Sequence, residues 1–396
     1  RVAIRRFWSV PEPEPLRLRP AEYGERFRAL LRDAVADRLP ADRASLLLSG
    51  GRDSTALAAT WRELVDRGDR STELRAFTAH HARLMRDEEP AYSAMAAKAL
   101  GIPQALLAVD DYAPFGRWSA PDLRRPQPSA SPLLAIEADQ YRAAAQHAPV
   151  LLTGQGGDAL LRETPSRLTR LAAGGHPVRA LAEAAVYVRW HGRLPRPGVR
   201  TWRAERAGAH VQAASAPAWI DADFARRVSL SERLARWAEE RRTPSPHPLR
   251  PEAARQLGSP FWPVLGALWD PGSTGVPVEV RHPFFDLRLV ELALSIPPAQ
   301  WYNDKGLLRI AMRGRLPAAV LNRPKTPVAG DPLAVRARAL GDGWLGGLRA
   351  GPEVLPWVDL DRVPSFTGGA SPDRSASLHT DLRPLALSLW LATMRG

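Results

Sequence analysis

The chain has 396 residues, with 55 Lys and Arg against 42 Asp and Glu, a formal net charge of +13 and no cysteine. That length allows two or three domains and a sizeable core, while the lack of cysteine excludes a disulfide framework, a thiolate metal site and a Cys nucleophile. No apolar run reaches the ~18 residues that a membrane span requires and no signal-peptide pattern is present; the zero cysteine count makes a cytoplasmic protein the simple expectation.

Residues 1–20 are Pro-rich and read as an extended linker or covering strand. Between 21 and 39, Tyr23, Phe27, Leu30, Leu31, Val35 and Leu39 recur at helical spacing. Leu46-Leu47-Leu48 has strand character and breaks at Ser49-Gly50-Gly51-Arg52-Asp53-Ser54-Thr55, ahead of a helix over 56–66. A strand over 74–79, a helix over 88–100 and the apolar run Ala105–Val109 follow. Val150-Leu151-Leu152-Thr153 is a further strand that leads into Gly154-Gln155-Gly156-Gly157-Asp158. Strands alternating with helices predict an α/β fold with a doubly wound parallel sheet, its core at about 21–170. Ligands of such sheets bind at the carboxyl ends of the strands, where both Gly-rich loops fall. The region 171–396 reads as largely helical, with loops at 191–216 and 243–263 and an irregular stretch at 350–375.

The first Gly-rich loop predicts an anion site. Backbone N–H groups and the positive end of a helix dipole converge there, and Gly50 and Gly51 let the backbone approach an oxyanion. Ser49 and Ser54 can donate to phosphate oxygens, while Asp53 would repel a bare phosphate and so implies an intervening divalent cation. No lysine follows as in G-x-x-x-x-G-K-[ST]. Asp158 closes the second loop in the same way, and two carboxylates at adjacent strand ends can share Mg²⁺, which takes hard oxygen ligands. The plain alternatives are a Ser-Gly-Gly turn and an Asp that caps the next helix.

Further on, Val278-Glu279-Val280-Arg281 is strand-like, His282-Pro283-Phe284-Phe285 is a proline turn, and Asp286 is placed to cap a helix. Lys305-Gly306-Leu307-Leu308-Arg309 opens a helix that ends at Leu316-Pro317, and Asn322-Arg323-Pro324-Lys325-Thr326-Pro327 forms a rigid loop. Lys98, Lys305 and Lys325 are the only lysines, so 52 of the 55 cationic side chains are Arg. A lysine retained on such a background supplies a compact, strongly hydrated point charge that Arg cannot. The arginines are spread through helices, as at Arg226-Arg227 and Arg241-Arg242, without interleaved aromatics. They read as solvated faces, and no nucleic-acid partner is expected.

Ser49–Ser54 matches S-G-G-x-D-S, the pyrophosphate loop (PP-loop) of ATP pyrophosphatases. With T-G-Q-G-G-D at 153–158, R-x-P-F-x-D at 281–286, K-x-x-L-R at 305–309 and R-x-K at 323–325, the chain resembles the synthetase domain of the asparagine synthetase family over roughly 20–335. Arg6-Phe7-Trp8-Ser9 resembles the segment after that family's N-terminal glutaminase-type domain. Residues 1–20 are accordingly expected to be a linker or remnant, and 21–396 the synthetase domain.

The resemblance implies that a carboxylate attacks the α-phosphorus of ATP, giving an acyl-adenylate that an amine then captures. It assigns pyrophosphate to Ser49, Gly50, Gly51, Asp53 and Ser54, and Mg²⁺ to Asp53 and Asp158. Leu48, Ala79, Thr153 and Gly154 match positions that line the nucleotide. Lys325 matches the catalytic lysine, and Lys305 is expected to support the phosphates or the loop that carries Lys325.

Several branches of the family make amides other than asparagine. Gly-Gln-Gly-Gly-Asp-Ala at 154–159, Arg-His-Pro-Phe-Phe-Asp-Leu-Arg at 281–288 and Arg-Pro-Lys-Thr-Pro-Val-Ala-Gly-Asp-Pro at 323–332 resemble the cyclases that close lasso peptides. That branch implies a precursor (leader–core) peptide as substrate, with a leader-binding protein and a leader protease as companions. Gln155 stands where glutamine-using asparagine synthetases have Glu, and the base that deprotonates the amine is left open between Glu279 and His282. His80 and His81 could touch nucleotide or substrate, and Asp87-Glu88-Glu89 reads as an acidic helix start. Without Cys, the family's glutamine hydrolysis has no nucleophile in these residues, so ammonia or the substrate itself supplies the amine. The competing readings are an asparagine or β-lactam synthetase, a tRNA-modifying PP-loop enzyme and a non-catalytic scaffold.

Overall fold

A computed structural model describes residues 3, 5, 8–11, 14–206, 216–242, 245, 247–299, 301–323, 330–341, 343–366 and 375–395. Helix α1, Pro20–Ala36, starts with Pro at its first turn, and the Glu22 carboxylate accepts the Arg19 N–H at 2.7 Å. That side-chain contact occupies a donor left without a backbone partner at the helix start. Tyr23, Phe27, Leu31 and Val35 are buried as their spacing predicts, Ala34 joins them, and Leu30 is only half-buried.

Strand β1, Arg43–Leu47, is followed by α2, Arg52–Asp66, then β2, Glu73–His80, α3, Glu89–Leu100, and β3, Gln104–Ala108. Helix α4, Leu134–His147, leads to β4, Val150–Leu152, and α5, Gly157–Leu161. The strand-like stretch in the C-terminal half becomes β5, Glu279–Arg281. The five strands are parallel, in the order β3-β2-β1-β4-β5. Successive strand residues face opposite sides. Leu46, Leu48, Ala76 and Leu152 enter a core shared with α1 and α2, while Phe77 and Leu151 pack with Tyr141 and Ala144 of α4. Chain order reverses between β1 and β4, which makes that gap the switch point where such sheets bind ligands.

The structure corrects several boundaries. Helix α2 starts at Arg52 rather than 56, so Asp53 and Ser54 lie in its first turn. Helix α4 had no counterpart in the sequence reading, because alanines at 135, 138 and 144 make up much of its buried face and leave little hydropathy contrast. The expected loops at 191–216 and 243–263 contain helices Val199–Arg206, Pro251–Leu257 and the start of Phe261–Trp269. Within 350–375 the described backbone is irregular apart from single turns at Pro352–Val354 and Leu360–Arg362. The C-terminal half also contributes to the sheet layer. Besides β5, helix Leu287–Ser295 begins at Asp286, whose carboxylate accepts the Arg288 N–H at 3.0 Å, and its Leu289, Val290 and Leu292 join the α1 core. Among the described residues no helix is long and apolar enough to cross a membrane.

Candidate active site

The carboxyl ends of β2, β1 and β4 lie side by side and carry Ala79, Leu48 and Thr153-Gly154 respectively. Leu48 continues the ladder through its N–H to the Phe77 carbonyl at 3.0 Å, and the Thr78 hydroxyl donates to the Leu48 carbonyl. The chain then turns at Gly50 with φ +59, where a Cβ would stand 2.7 Å from the Ser93 nitrogen on α3. Both the left-handed backbone and the close approach require glycine there. Gly51 caps α2. The Ser54 hydroxyl accepts the Ser49 N–H at 3.1 Å and lies 3.2 Å from the Ser49 hydroxyl. The orphan N–H groups of the first turn of α2 and these two hydroxyls gather donors at the switch point, as an anion site needs.

Asp53 projects from that first turn toward the second loop. A Cβ on Gly157 would sit 2.5 Å from the Asp53 carboxyl carbon, so a larger residue there would displace the carboxylate. The Lys305 ammonium closes the cluster. It lies 2.6 and 2.5 Å from the two Asp53 oxygens and 2.6 Å from an Asp158 oxygen. Burial pushes the Asp53 carboxyl above the ordinary carboxylate range, the Lys305 charge pulls it back, and the neighbouring Asp158 adds to the rise. The two carboxylates expected to share a cation therefore meet at one position that already holds a positive charge. The described residues add no third His, Cys, Asp or Glu to form a metal-binding group. Two carboxylates suit Mg²⁺, which takes one or two of them and completes its shell with phosphate oxygens and water.

Lys305 reaches this position from an unusual turn. Asp304 and Lys305 have φ of 51° and 55°, left-handed conformations that cost about 1–2 kcal/mol per non-glycine residue. Arg52 holds the turn in place, donating at 2.7 Å to the Asp304 carbonyl, at 2.7 Å to its carboxylate, and at 2.6 Å to the Arg323 carbonyl. One side chain thereby ties the first Gly-rich loop to the Lys305 turn and to the foot of the R-x-K loop. Arg323 itself lies 3.4 Å from Glu89 and over the Tyr92 ring at 4.4 Å. Lys325 lies outside the described residues, as do Arg6 and Phe7 of the N-terminal likeness.

The two candidate bases are placed differently. Glu279 pairs in register with Val150 at the start of β4, the end of the strand away from Gly154, and binds Arg281 at 2.7 Å. The Arg281 hydrogen bond holds its carboxyl below the ordinary range, so Glu279 is a weak base and stands apart from the cluster. His282 lies 2.6 Å from the Thr153 hydroxyl, which also accepts the Gln155 N–H at 3.3 Å. Burial, helped by Arg38, pushes the imidazole down to about 4, so it is neutral at pH 7 and orients Thr153. Asp87 accepts the N–H groups of His81 at 2.9 Å and Glu89 at 2.8 Å, a structural cap at the start of α3. Sequence reasoning missed Arg52 and Asp304. Their partnership joins positions 252 apart, and no local pattern signals it.

A profile of the family described as "Asparagine synthase" matches residues 26–391. The chain is similar to Asparagine synthetase (glutamine-hydrolyzing) 3 of Bacillus subtilis (strain 168), with 36% identity over 93 residues. That stretch is 23% of this chain and 15% of the relative, so the chain spans well under two thirds of the curated protein it matches.

Proposed function

The chain belongs to the asparagine synthase family, and from that premise we propose that it forms an amide bond at the expense of ATP, releasing AMP and pyrophosphate. In the finer reading its substrate is a precursor peptide, whose Asp or Glu side chain is adenylated and then captured by the same peptide's N-terminal amine. The observation that carries the reading is the convergence of Asp53 and Asp158 on one cation position beside the Ser49–Ser54 loop.

The residues divide the work by position. Ser49, Ser54 and the first-turn N–H groups of α2 bind the pyrophosphate portion, and the ends of β2, β1 and β4 line the nucleotide. Asp53 and Asp158 would hold Mg²⁺, which neutralises charge as pyrophosphate departs. With the two carboxylates turned to that ion, Lys305 would offer its ammonium to phosphate oxygens. Lys325, by likeness to the family, stabilises the charge that develops at phosphorus and on the carbonyl; losing one such charge costs on the order of 10²–10³ in rate. Exposed Gln155 has no basic group, so another group must take the proton of the attacking amine.

The test is a coupled assay of AMP and pyrophosphate release with short synthetic peptides that carry a free N-terminal amine and one Asp or Glu, using Lys325→Ala as control. Equal release of both products, present only with the peptide and absent in the variant, is expected. Asparagine made from aspartate and ammonia, with no response to peptide, would restore the ordinary synthetase. The likeness to the Bacillus subtilis enzyme favours that second reading.

A further inference from the structure

Beside the Asp53–Lys305–Asp158 cluster lies a cavity of about 610 Å³. It shares a wall with the cluster, because Asp304 precedes Lys305 in the chain and Arg162 pairs with Asp158 at 3.3 Å. Tyr187 and Leu194 supply its accessible aromatic and apolar surface, above the buried Tyr302. Five guanidinium groups line it, and three of them are committed. Arg162 holds Asp158, Arg167 makes two bonds to Glu183 at 2.7 and 2.8 Å, and Arg309 spans Asp304 at 3.2 Å and Asn322 at 2.6 Å. The Glu163 carboxylate, 4% exposed, is balanced by Arg167 at 3.7 Å and Arg250 at 3.8 Å. Arg193 and Arg196 are exposed and form no ion pair among the described residues. The cavity therefore has a surplus of positive charge and an amphipathic wall. At ~30 Å³ per water it has room for roughly twenty water molecules, far more than free aspartate displaces, and ligand sites bury most of their ligand.

We propose that this cavity is the acyl-donor site and takes an acidic peptide segment rather than a free amino acid. The inference rests on the ATP-dependent ligase reading above. Arg193 and Arg196 draw the segment in, Tyr187 and Leu194 hold its apolar side chains, and its carboxylate points toward the Lys305 cluster. There the carboxylate oxygen forms a bond to the α-phosphorus while the bond from that phosphorus to the bridging oxygen breaks. The electron pair leaves with pyrophosphate, and no proton is exchanged.

The experiment uses the full chain and a pool of short synthetic peptides, each with one Asp or Glu and a benzophenone photocrosslinker. Irradiation is expected to label residues within 162–168 and 187–196, and unlabelled peptide should compete where free aspartate does not. Arg193→Glu with Arg196→Glu should lower labelling at least tenfold, whereas Arg193→Lys with Arg196→Lys should retain it. Circular dichroism checks that each variant is folded. Labelling elsewhere or nowhere, equal labelling of the reversed-charge variant, or competition by aspartate would overturn the proposal. Crosslinking reports binding without turnover. A labelled cavity together with no peptide-dependent AMP would instead count against the ligase reading alone.

Discussion

Replacing Lys305 with Met removes one charge from between two carboxylates while keeping a side chain of similar length. The cost is unequal for the two partners, since the Asp53 side chain is 18% exposed and that of Asp158 57%. Removing one member of a buried pair costs about 3–5 kcal/mol, and an exposed pair contributes about 0–1 kcal/mol. A loss of about 3 kcal/mol at pH 7 is therefore expected, nearly all of it from Asp53. The sign with pH follows from burial, which already raises the Asp53 carboxyl and without the ammonium would be opposed only by the weaker pull of Arg52. The folded variant then holds its proton more tightly than the unfolded chain does. Its deficit is absent below an unfolded carboxyl's value of about 3.9, opens as the pH rises through the raised folded value, and stays constant above it. A divalent cation can take the vacated position, so millimolar Mg²⁺ should restore the variant and leave the wild-type protein, whose carboxylates already hold an ammonium, almost unchanged. Saturation to 100 times the dissociation constant contributes about 2.7 kcal/mol, enough to offset most of the loss. Thermal melts of both proteins at pH 4 and pH 7, with and without Mg²⁺ and in the absence of nucleotide, measure every part of this. Equal stability of the two proteins at pH 7, or equal stabilisation of both by Mg²⁺, would refute the reasoning.

Other perturbations test separate contacts. Gly157→Ala places a methyl 2.5 Å from the Asp53 carboxyl carbon and should lower pyrophosphate release on the order of 10²-fold, read as kcat at saturating ATP. Arg52→Leu frees the Asp304 turn and the Arg323 carbonyl together, so kcat should fall at least tenfold; an unchanged kcat would show that the tie is dispensable. His282, held down to about 4, should cost stability as the pH falls from about 6.5, where the unfolded imidazole charges. The loss reaches up to about 3 kcal/mol near pH 4. His282→Gln should flatten that slope in melts across this range, and a slope that persists would assign it to other groups.

The parallel sheet was legible because Leu46–Leu48, the 74–79 run and Val150–Thr153 each pair apolar strand character with a Gly-rich or polar break. The side-by-side placement of Ala79, Leu48 and Thr153 at the strand ends follows from that pattern and the parallel register. Two kinds of feature stayed hidden. Where the buried face is alanine, as in α4, periodicity has no amplitude. Where a contact joins distant segments, as Arg52 joins Asp304, composition says only that both are polar. Glu279 shows a third limit. Its place in a strand-like run could be read, but its position at the amino end of β5 and its pairing with Arg281 depend on register.

Lys305 connects the composition to the chemistry. On a background of 52 arginines this position holds one of three lysines, and the structure gives a physical reason. A single nitrogen lies within 2.5–2.6 Å of oxygens on both Asp53 and Asp158. A guanidinium spreads its charge over a planar fork suited to one carboxylate edge, whereas an ammonium presents three donors from one point. The left-handed turn at Asp304-Lys305 delivers that point from outside α2, and Arg52, one residue before Asp53 on the same helix, fixes the distance between them. Arginine at this position would hold one carboxylate edge-on and leave the other without its closest cation, and the two acids would no longer share one cation-sized position.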